Sequence, residues 1–180
     1  MKKISNYNVA VYLRLSREDG DDRESQSIGN QRKIINDFIE NSSEKEKFNI
    51  VREYIDDGFT GSNFDRPDFK RMISDIEKGN INVVITKDLS RFGRDHIKSG
   101  YYLENYFPEK NIRYIAVTDN VDTFDDDTMD MIPFKMSFND YYPRDISKKI
   151  KKVKRMKAER GEYQAGQAPY RIQKVKNCKK

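Results

Sequence analysis

Short apolar segments that alternate with segments of helical periodicity constrain the fold of this chain more than any other feature. Each apolar segment is rich in β-branched residues or alternates in polarity, and each ends in polar or charged residues. The four strand candidates are NVAVYLRLS at 8–16, FNIVREYIDDG at 48–58, INVVITKDLS at 81–90 and IRYIAVTDN at 112–120. Strands separated by helices favour a parallel sheet, because a parallel connection needs a long crossover.

Helical periodicity occupies the segments between these strands. The first has apolar or amide residues at helical spacing: Ile28, Gln31, Ile35, Phe38 and Ile39. A cap at Ser25 or Ser27 precedes it. The segment 66–80 has Pro67 in its first turn and closes with Gly79, as a helix should. With a third helix at 95–111, the chain is predicted to be α/β, a mostly parallel central sheet covered by helices.

Composition narrows the class of protein. The 180 residues suffice for one core of ordinary domain size and an appendage. The single cysteine, Cys178, excludes a disulfide framework and a cysteine-based zinc site. The N-terminal residues lack the apolar stretch of a secretory signal, and no later segment reaches membrane-spanning length. We therefore expect a cytoplasmic protein with no membrane partner.

The net charge of +5 is unevenly distributed. Residues 144–180 hold 14 Lys or Arg against three Asp or Glu, whereas residues 1–143 hold 21 against 27. This asymmetry favours a polyanionic partner, nucleic acid before membrane, because no bulky apolar face accompanies the charge. A solvated, charged helix is the alternative that the pattern leaves open.

A long segment from roughly 129 to 160 is predicted to be helical, with Pro133 and Pro143 as candidate kinks. It carries a narrow apolar stripe: Ile146, Ile150, Val153 and Met156. The stripe is too narrow and too far along the chain to be covered by its own domain, so we expect a second subunit to cover it. The basic residues around the stripe are candidates for DNA binding: Lys148, Lys149, Lys151, Lys152, Lys154, Arg155 and Lys157.

Ser16 ends the first strand candidate, and ligands are expected at the carboxyl ends of such strands. A serine nucleophile usually needs a base, yet the only histidine is His96 and no G-x-S-x-G elbow surrounds Ser16. A Ser-His hydrolase is therefore disfavoured. The strand ends instead supply guanidinium groups, which bind phosphate oxygens and suit phosphoryl transfer: Arg14, Arg66, Arg91 and Arg94.

Each of these residues also has a simpler interpretation. Arg14 lies on an alternating strand and is a candidate for an exposed position opposite Val9 and Val11. Arg91 and Arg94 are candidates for capping a strand-to-helix turn, and Ser16 for a turn residue. Each simpler interpretation is adequate for a single residue. It is harder to explain by turns and caps alone why Arg-x-Ser ends one strand candidate and Arg-x-x-Arg follows another.

Three segments together resemble the catalytic domain of serine site-specific recombinases, the resolvase/invertase family. They are YLRLS, then SQSIGNQR, then DDGFTGSNFDRPDFKRMISDIEKGNINVVITKDLSRFGRD. The resemblance covers about residues 7–160, with the motifs in the right order and spacing. The run at 139–172 further resembles the large serine recombinases of mobile elements, in which this helix leads into DNA-binding domains.

The resemblance implies roles for particular positions. Ser16 matches the nucleophile that attacks a DNA phosphodiester, giving a 5′-phosphoseryl link and a free 3′-hydroxyl. The other matched positions are Arg14, Gln31, Asp57, Arg66, Arg91 and Arg94. Ser90 stands where small resolvases carry Asp, which makes Asp88 a candidate substitute, and Arg171 stands where a glycine is more usual.

The resemblance also implies an organisation and a set of partners. We expect a catalytic domain at 1–128, a helix for oligomerisation and DNA contact at 129–160, and a linker at 161–180 toward a DNA-binding region. The implied partners are a specific DNA recombination site, a homodimer and a synaptic homotetramer, in the bacterial cytoplasm at the nucleoid. No cofactor and no metal are implied, since religation by the freed hydroxyl needs no ATP.

Two other functions stay open at this point. A non-catalytic DNA-binding or assembly module would share the fold and the basic helix but would lack cleavage, and Ser90 is the residue that favours it. A receiver-like phospho-acceptor domain would use Asp56, Asp57 and Lys87 at strand ends. Its acidic pair should follow the first strand, whereas here the pair follows the second.

Overall fold

A computed structural model describes most of the chain between residues 6 and 162. The described ranges are 6–15, 28–42, 46–61, 63–125, 128 and 131–162, and within them the side chains at 136 and 138–144 are not described. Ser16, the candidate caps Ser25 and Ser27, and the predicted linker beyond residue 162 lie outside the described residues.

The centre of the molecule is a five-stranded sheet in the order β2-β1-β3-β4-β5. Its strands are β1 (Asn6–Leu15), β2 (Lys47–Asp57), β3 (Val83–Thr86), β4 (Arg113–Ala116) and β5 (Val121–Asp122). The first four strands pair in parallel, and β5 pairs with β4 in the antiparallel direction. The predicted α/β architecture with a mostly parallel sheet is confirmed.

Helices connect the parallel strands, as the periodicity predicts. They are α1 (Ile28–Ser42), α2 (Pro67–Glu77), α3 (Leu89–Phe92), α4 (His96–Gly100), α5 (Phe107–Glu109) and α6 (Ile132–Glu159). At α2, Pro67 occupies the first turn, where its missing N–H costs no hydrogen bond. Gly79 follows this helix with a φ of 76°, a left-handed conformation that glycine adopts without a steric penalty.

The alternation of β1 places its side chains in two separate cores. Val9, Val11 and Leu13 belong to the cluster that contains Ile35 of α1. Tyr12, on the opposite face, belongs to the larger cluster with the apolar residues of α2, α3 and the 101–107 segment. Because both faces are covered, β1 is buried along nearly its whole length, as a central parallel strand is expected to be.

Three features differ from the sequence-based expectations. The short strand β5 is not among the four strand candidates, and it forms because Val121 is buried and pairs with Ala116. The third helix contains a π-helical segment, Tyr101–Tyr106, between α4 and α5. The helix α6 is continuous through Pro143, a candidate kink, and Pro133 lies in its first turn.

The chain divides into two compact units, of which the first ends at Asp140 and the second begins at Tyr141. In the first unit, Ile132 at the start of α6 is fully buried in the larger core cluster. In the second, the described residues 146–162 are exposed.

Candidate functional site

The guanidinium group of Arg14 lies inside the protein at the carboxyl end of β1. Arg14 is 0% exposed, so the interpretation of this residue as an exposed strand position is wrong. Its Nε donates to the carbonyl of Arg91 at 3.3 Å, Nη1 to that of Phe59 at 2.8 Å, and Nη2 to that of Ser90 at 2.9 Å. This one side chain therefore joins β1 to the segments that follow β2 and β3.

Gln31 of α1 bonds to the backbone of Arg14 from the other side. The Arg14 N–H donates to Gln31 Oε1 at 3.3 Å, and Gln31 Nε2 donates to the Arg14 carbonyl at 3.0 Å. The Gln31 side chain is fully buried, where water cannot serve as a hydrogen-bond partner. The two bonds to Arg14 take the place of water for the carboxamide oxygen and nitrogen.

Arg91 of α3 contacts the same backbone carbonyl. Its Nη1 donates to the Arg14 carbonyl at 3.2 Å, and the residue is 4% exposed. Asp88 caps α3 by accepting the Arg91 N–H at 3.0 Å and the Ser90 hydroxyl at 2.6 Å. Its carboxylate also lies 3.8 Å from Arg91 Nε. Because the Asp88 side chain accepts the N–H at the start of α3, the cap of this helix is Asp88 and not an arginine.

Arg66 is the second fully buried arginine of the site. Its Nη2 donates to the carbonyl of Phe92 at 2.8 Å, and its guanidinium carbon lies 4.7–5.4 Å from the ring centroids of Phe64, Phe69 and Tyr12. Within the described part of the chain, Arg66 Nε and Nη1 are buried without a hydrogen-bond partner. The described residues thus leave two strong donors of this buried guanidinium group without an acceptor.

Arg94 follows α3 and lies against Gly61 in the loop after β2. The Arg94 N–H donates to the Gly61 carbonyl at 2.8 Å. A Cβ at Gly61 would lie 2.7 Å from Arg94 Cγ and 3.0 Å from Arg14 Nη2, so only glycine permits this approach.

Arg14 is close enough to the other three arginines for their charges to act on it. Burial, and then the charges of Arg94, Arg91 and Arg66 in that order, lower the pKa of Arg14 to about 10. Burial also lowers the pKa of Arg66, against the opposing effect of Tyr12 and Asp56. Because like charges held together out of water are costly, this cluster favours an anion such as a phosphate.

The two adjacent carboxylates at the end of β2 have different environments. Asp57, the predicted site residue, is exposed at the last position of the strand. Asp56 is 1% exposed and accepts the Tyr12 hydroxyl at 2.8 Å and the N–H groups of Asp68 and Phe69 at 3.0 Å each. Asp56 therefore caps α2, and its negative charge favours the charged form of Arg66 by raising the pKa of that group against the effect of burial.

A polar cleft of about 470 Å³ at the ends of β3 and β4 is lined by Lys87, Asp88, Ser90, Thr118 and Asp119. Burial raises the pKa of Asp119, whose carboxylate accepts the Leu89 N–H at 2.7 Å. A second cavity of about 380 Å³, lined in part by His96, Tyr101 and Pro133, shares no residue with the arginine cluster.

The helix α6 presents its basic residues to solvent. All seven predicted DNA-binding residues are exposed. The four residues of the apolar stripe are exposed too, each with 43–51% of its surface accessible to solvent.

Among the residues with assigned positions, no helix is long and apolar enough to cross a membrane. In the same part of the chain, no group of three or more His, Cys, Asp or Glu side chains is arranged to hold a metal ion.

The structure thus brings Arg14, Gln31, Arg91 and Asp88 into direct contact and places Arg66 and Arg94 beside them. The recombinase site predicted from the sequence lacks three contributors, Tyr12, Asp56 and Gly61, of which Asp56 is considered only for the receiver-like alternative. The alternation of β2 offered a signal for Asp56, because it shares a face with the buried Tyr54. No local signal pointed to Gly61, since its role depends on side chains distant in sequence.

Comparisons with known proteins agree with this fold. A family model described as the N-terminal domain of resolvase matches residues 9–163. The N-terminal catalytic domain of TP901-1 integrase is similar in structure, with a TM-score of 0.60 and 24% identity over 77% of this chain and 98% of that one. A resolvase family site-specific recombinase from Streptococcus pneumoniae has a TM-score of 0.56 and 22% identity over 84% and 99% of the two chains. No curated protein matches the chain.

Proposed function

The chain belongs to the resolvase family of serine recombinases, and from that premise we propose that it cleaves and rejoins DNA at a specific site with Ser16 as its nucleophile. The observation that carries the proposal is the convergence of Arg14, Arg66, Arg91 and Arg94 at the end of β1. Ser16 lies outside the described residues, but it follows Leu15, the last residue of β1, directly in the chain.

The proposed step is a transesterification. A bond forms between Ser16 Oγ and the phosphorus atom, while the bond from phosphorus to the 3′ oxygen breaks. The serine hydroxyl loses its proton and the departing 3′ oxygen gains one. The DNA is left with a 5′-phosphoseryl link and a free 3′-hydroxyl, and attack by a 3′-hydroxyl after strand exchange restores the backbone. The number of ester bonds is conserved, so no ATP is required.

The arginines are proposed to stabilise the negative charge that develops on the phosphoryl oxygens. Arg66 offers two buried donors without a protein partner among the described residues, and fixed donors of this kind stabilise charge without reorganisation. Arg91 and Arg94 are proposed to complete the phosphate contacts. Arg14 donates to three carbonyls, so much of its donor capacity orients the surrounding loops.

The carboxylates are assigned supporting roles. Asp88 lies beside Arg91 and is tied to Ser90, which supports Asp88 as the substitute for the aspartate that small resolvases carry at position 90. Asp57 is exposed at the end of β2, where a charged substrate can reach it. The proposed reaction uses positioning and charge, and we propose that it proceeds without a metal ion or another cofactor.

The proposed partners follow from the family and from α6. The exposed lysines of α6 supply a surface for the DNA backbone, and its exposed apolar stripe supplies a contact for a second copy of the chain. We propose a homodimer that pairs into a synaptic homotetramer, acting in the bacterial cytoplasm. The proposed organisation is a catalytic domain at 1–128, the helix at 129–160 and a linker at 161–180.

Covalent capture of DNA tests the proposal. The protein is incubated with fragments of bacterial genomic DNA, denatured in detergent, and the protein-linked fragments are recovered and sequenced. We expect an adduct on Ser16 at the 5′ ends, 3′ ends that terminal transferase extends, and no loss of adduct with EDTA or without ATP. The Ser16→Ala variant should bind the recovered site and form no adduct.

DNA binding without any covalent adduct would overturn the proposal in favour of a non-catalytic DNA-binding or assembly module. An adduct on another residue would reassign the nucleophile. A strict requirement for Mg²⁺ in the chemical step would point to a metal-dependent nuclease.

A further inference from the structure

The carboxamide of Gln31 forms a two-bond contact with one residue of β1. It accepts the Arg14 N–H at 3.3 Å and donates to the Arg14 carbonyl at 3.0 Å. Both partners are fully buried, so neither backbone group of Arg14 has water as an alternative. A glutamine side chain has the same donor and acceptor as a peptide group, and here it bonds as one.

The sheet leaves this position open. β1 pairs with β3 only from Val9 to Val11, whereas it pairs with β2 as far as Leu15. The Leu15 carbonyl accepts the Gly58 N–H on the side of β2. Consecutive residues of a strand direct their polar groups to opposite sides, so those of Arg14 point toward the side that β3 does not reach. Gln31 therefore takes the place of a strand residue at the end of β1.

The Arg14 carbonyl is also a contact point for the arginine cluster. It accepts a second hydrogen bond, from Arg91 Nη1 at 3.2 Å. The Arg14 side chain in turn donates to the carbonyls of Arg91 and Ser90. A displacement of the Arg14 backbone would therefore move the guanidinium groups of both arginines.

We propose that Gln31, which the resemblance gives only as a matched site position, is a positioning residue for DNA cleavage and does not itself touch the substrate. It fixes the end of β1, two residues before Ser16, and through Arg14 it fixes the orientation of Arg91. This inference rests on the proposed function. It further assigns α1 a role, because this helix connects directly to the strand end from which the nucleophile follows.

Two substitutions at Gln31 separate positioning from simple core packing. Gln31→Met keeps the size of the side chain and removes both hydrogen bonds. Gln31→Glu keeps the acceptor, but as a carboxylate it has no donor and it faces the Arg14 carbonyl. Once protonated, the new carboxyl donates and accepts as the amide does; burial raises the pKa of such a group, whereas the guanidinium charges of Arg14 and Arg91 lower it. Asn36→Asp makes the same chemical change on the same helix and is the matched control.

The measurement is the single-turnover rate of Ser16 adduct formation on the site recovered by covalent capture, divided by the wild-type rate at each pH. We expect Gln31→Met to be slowed about 10²-fold at every pH, because a small misplacement of reacting groups has an effect of this size. Gln31→Glu should be slowed similarly at about pH 8 and should recover most of the loss as the pH is lowered and its side chain becomes protonated. Asn36→Asp should follow the wild type throughout.

Two results would overturn the proposal. One is a wild-type rate for Gln31→Met, and the other is a loss in Gln31→Glu that does not change with pH, since a purely structural defect would not be repaired by one proton. If Gln31→Met does not fold, the pH profile of Gln31→Glu still decides. A wild-type protein without any Ser16 adduct would instead remove the proposed function itself, and the positioning role with it.

Discussion

Arg14 and Arg91 hold each other's backbone: Arg14 Nε donates to the Arg91 carbonyl at 3.3 Å, and Arg91 Nη1 donates to the Arg14 carbonyl at 3.2 Å. Each is almost completely buried, so the two bonds operate where water does not compete. The pair connects the end of β1 to α3, the two places where sequence motifs supply arginines. The same side chains that we propose to act in catalysis therefore also hold the site together.

The first prediction concerns the geometry of these guanidinium groups. Arg66→Lys, Arg91→Lys and Arg94→Lys each keep the positive charge and lose the forked arrangement of donors. Each should reduce the cleavage rate by ~10²–10³, the usual effect of removing one donor to the transition state. Arg71→Lys is the control, because Arg71 is exposed on α2 and pairs with Asp68 at the surface. Near-normal cleavage by all three site variants would refute the phosphate-binding role.

The second prediction distinguishes the two carboxylates at the end of β2. Asp56→Asn should lower the free energy of unfolding by about 1–3 kcal/mol, because a buried carboxylate that accepts three hydrogen bonds becomes an amide that cannot accept all of them. Asp57→Asn should leave it within about 0.5 kcal/mol of the wild type, since Asp57 is exposed. Urea denaturation measures both. Equal losses from the two variants would contradict the assignment of Asp56 as the cap of α2.

The third prediction tests the close approach at Gly61. Gly61→Ala places a methyl group 2.7 Å from Arg94 Cγ and 3.0 Å from Arg14 Nη2, so the two side chains must move. Cleavage should fall by about 10²-fold, while the affinity for DNA is retained. In Gly100→Ala, the new Cβ meets only Glu104 Oε1 at an ordinary 3.8 Å, so this helical variant should cleave normally. A Gly61→Ala protein with wild-type cleavage would show that Arg94 does not need its present position.

The fourth prediction concerns the basic residues of α6. Replacing Lys148, Lys149, Lys151 and Lys152 by Gln should weaken DNA binding for every sequence alike. The slope of log K against log salt should fall by roughly 0.9 for each DNA phosphate that these lysines no longer neutralise. The control removes four exposed lysines of the first unit: Lys33, Lys47, Lys70 and Lys78. An equal change in slope from both sets would indicate an effect of net charge alone.

The fifth prediction concerns the apolar stripe of the same helix. Ile150→Asp should shift the protein toward the monomer in sedimentation velocity experiments without DNA, because a charge in an apolar contact is costly unless it is paired. Lys148→Asp introduces the same side chain about 160° away around the helix and should leave the association unchanged. Identical sedimentation of the wild type and Ile150→Asp would exclude the stripe from the subunit contact.

Local patterns in the amino-acid sequence were enough to predict most elements and their order. Period-two alternation and β-branched residues identify β1 to β4, and period-3.6 spacing with Pro67 and Gly79 identifies the helices, because these patterns arise from local backbone geometry. The same reasoning places the arginines at the carboxyl edge of the sheet. The family resemblance, carried by motifs at fixed spacing, agrees with the match to the resolvase family model.

The atoms that these residues use could be learned only from the way the chain packs. Arg14 is buried because the face of β1 that carries Tyr12 is covered by α2 and α3, and strand alternation alone does not reveal what lies above a face. Asp56, and not Asp57, is the carboxylate that faces inward, and Gln31 bonds to a backbone that β3 fails to reach. Such contacts join residues 12 to 77 positions apart, so they depend on how the helices pack on the sheet and not on any local pattern.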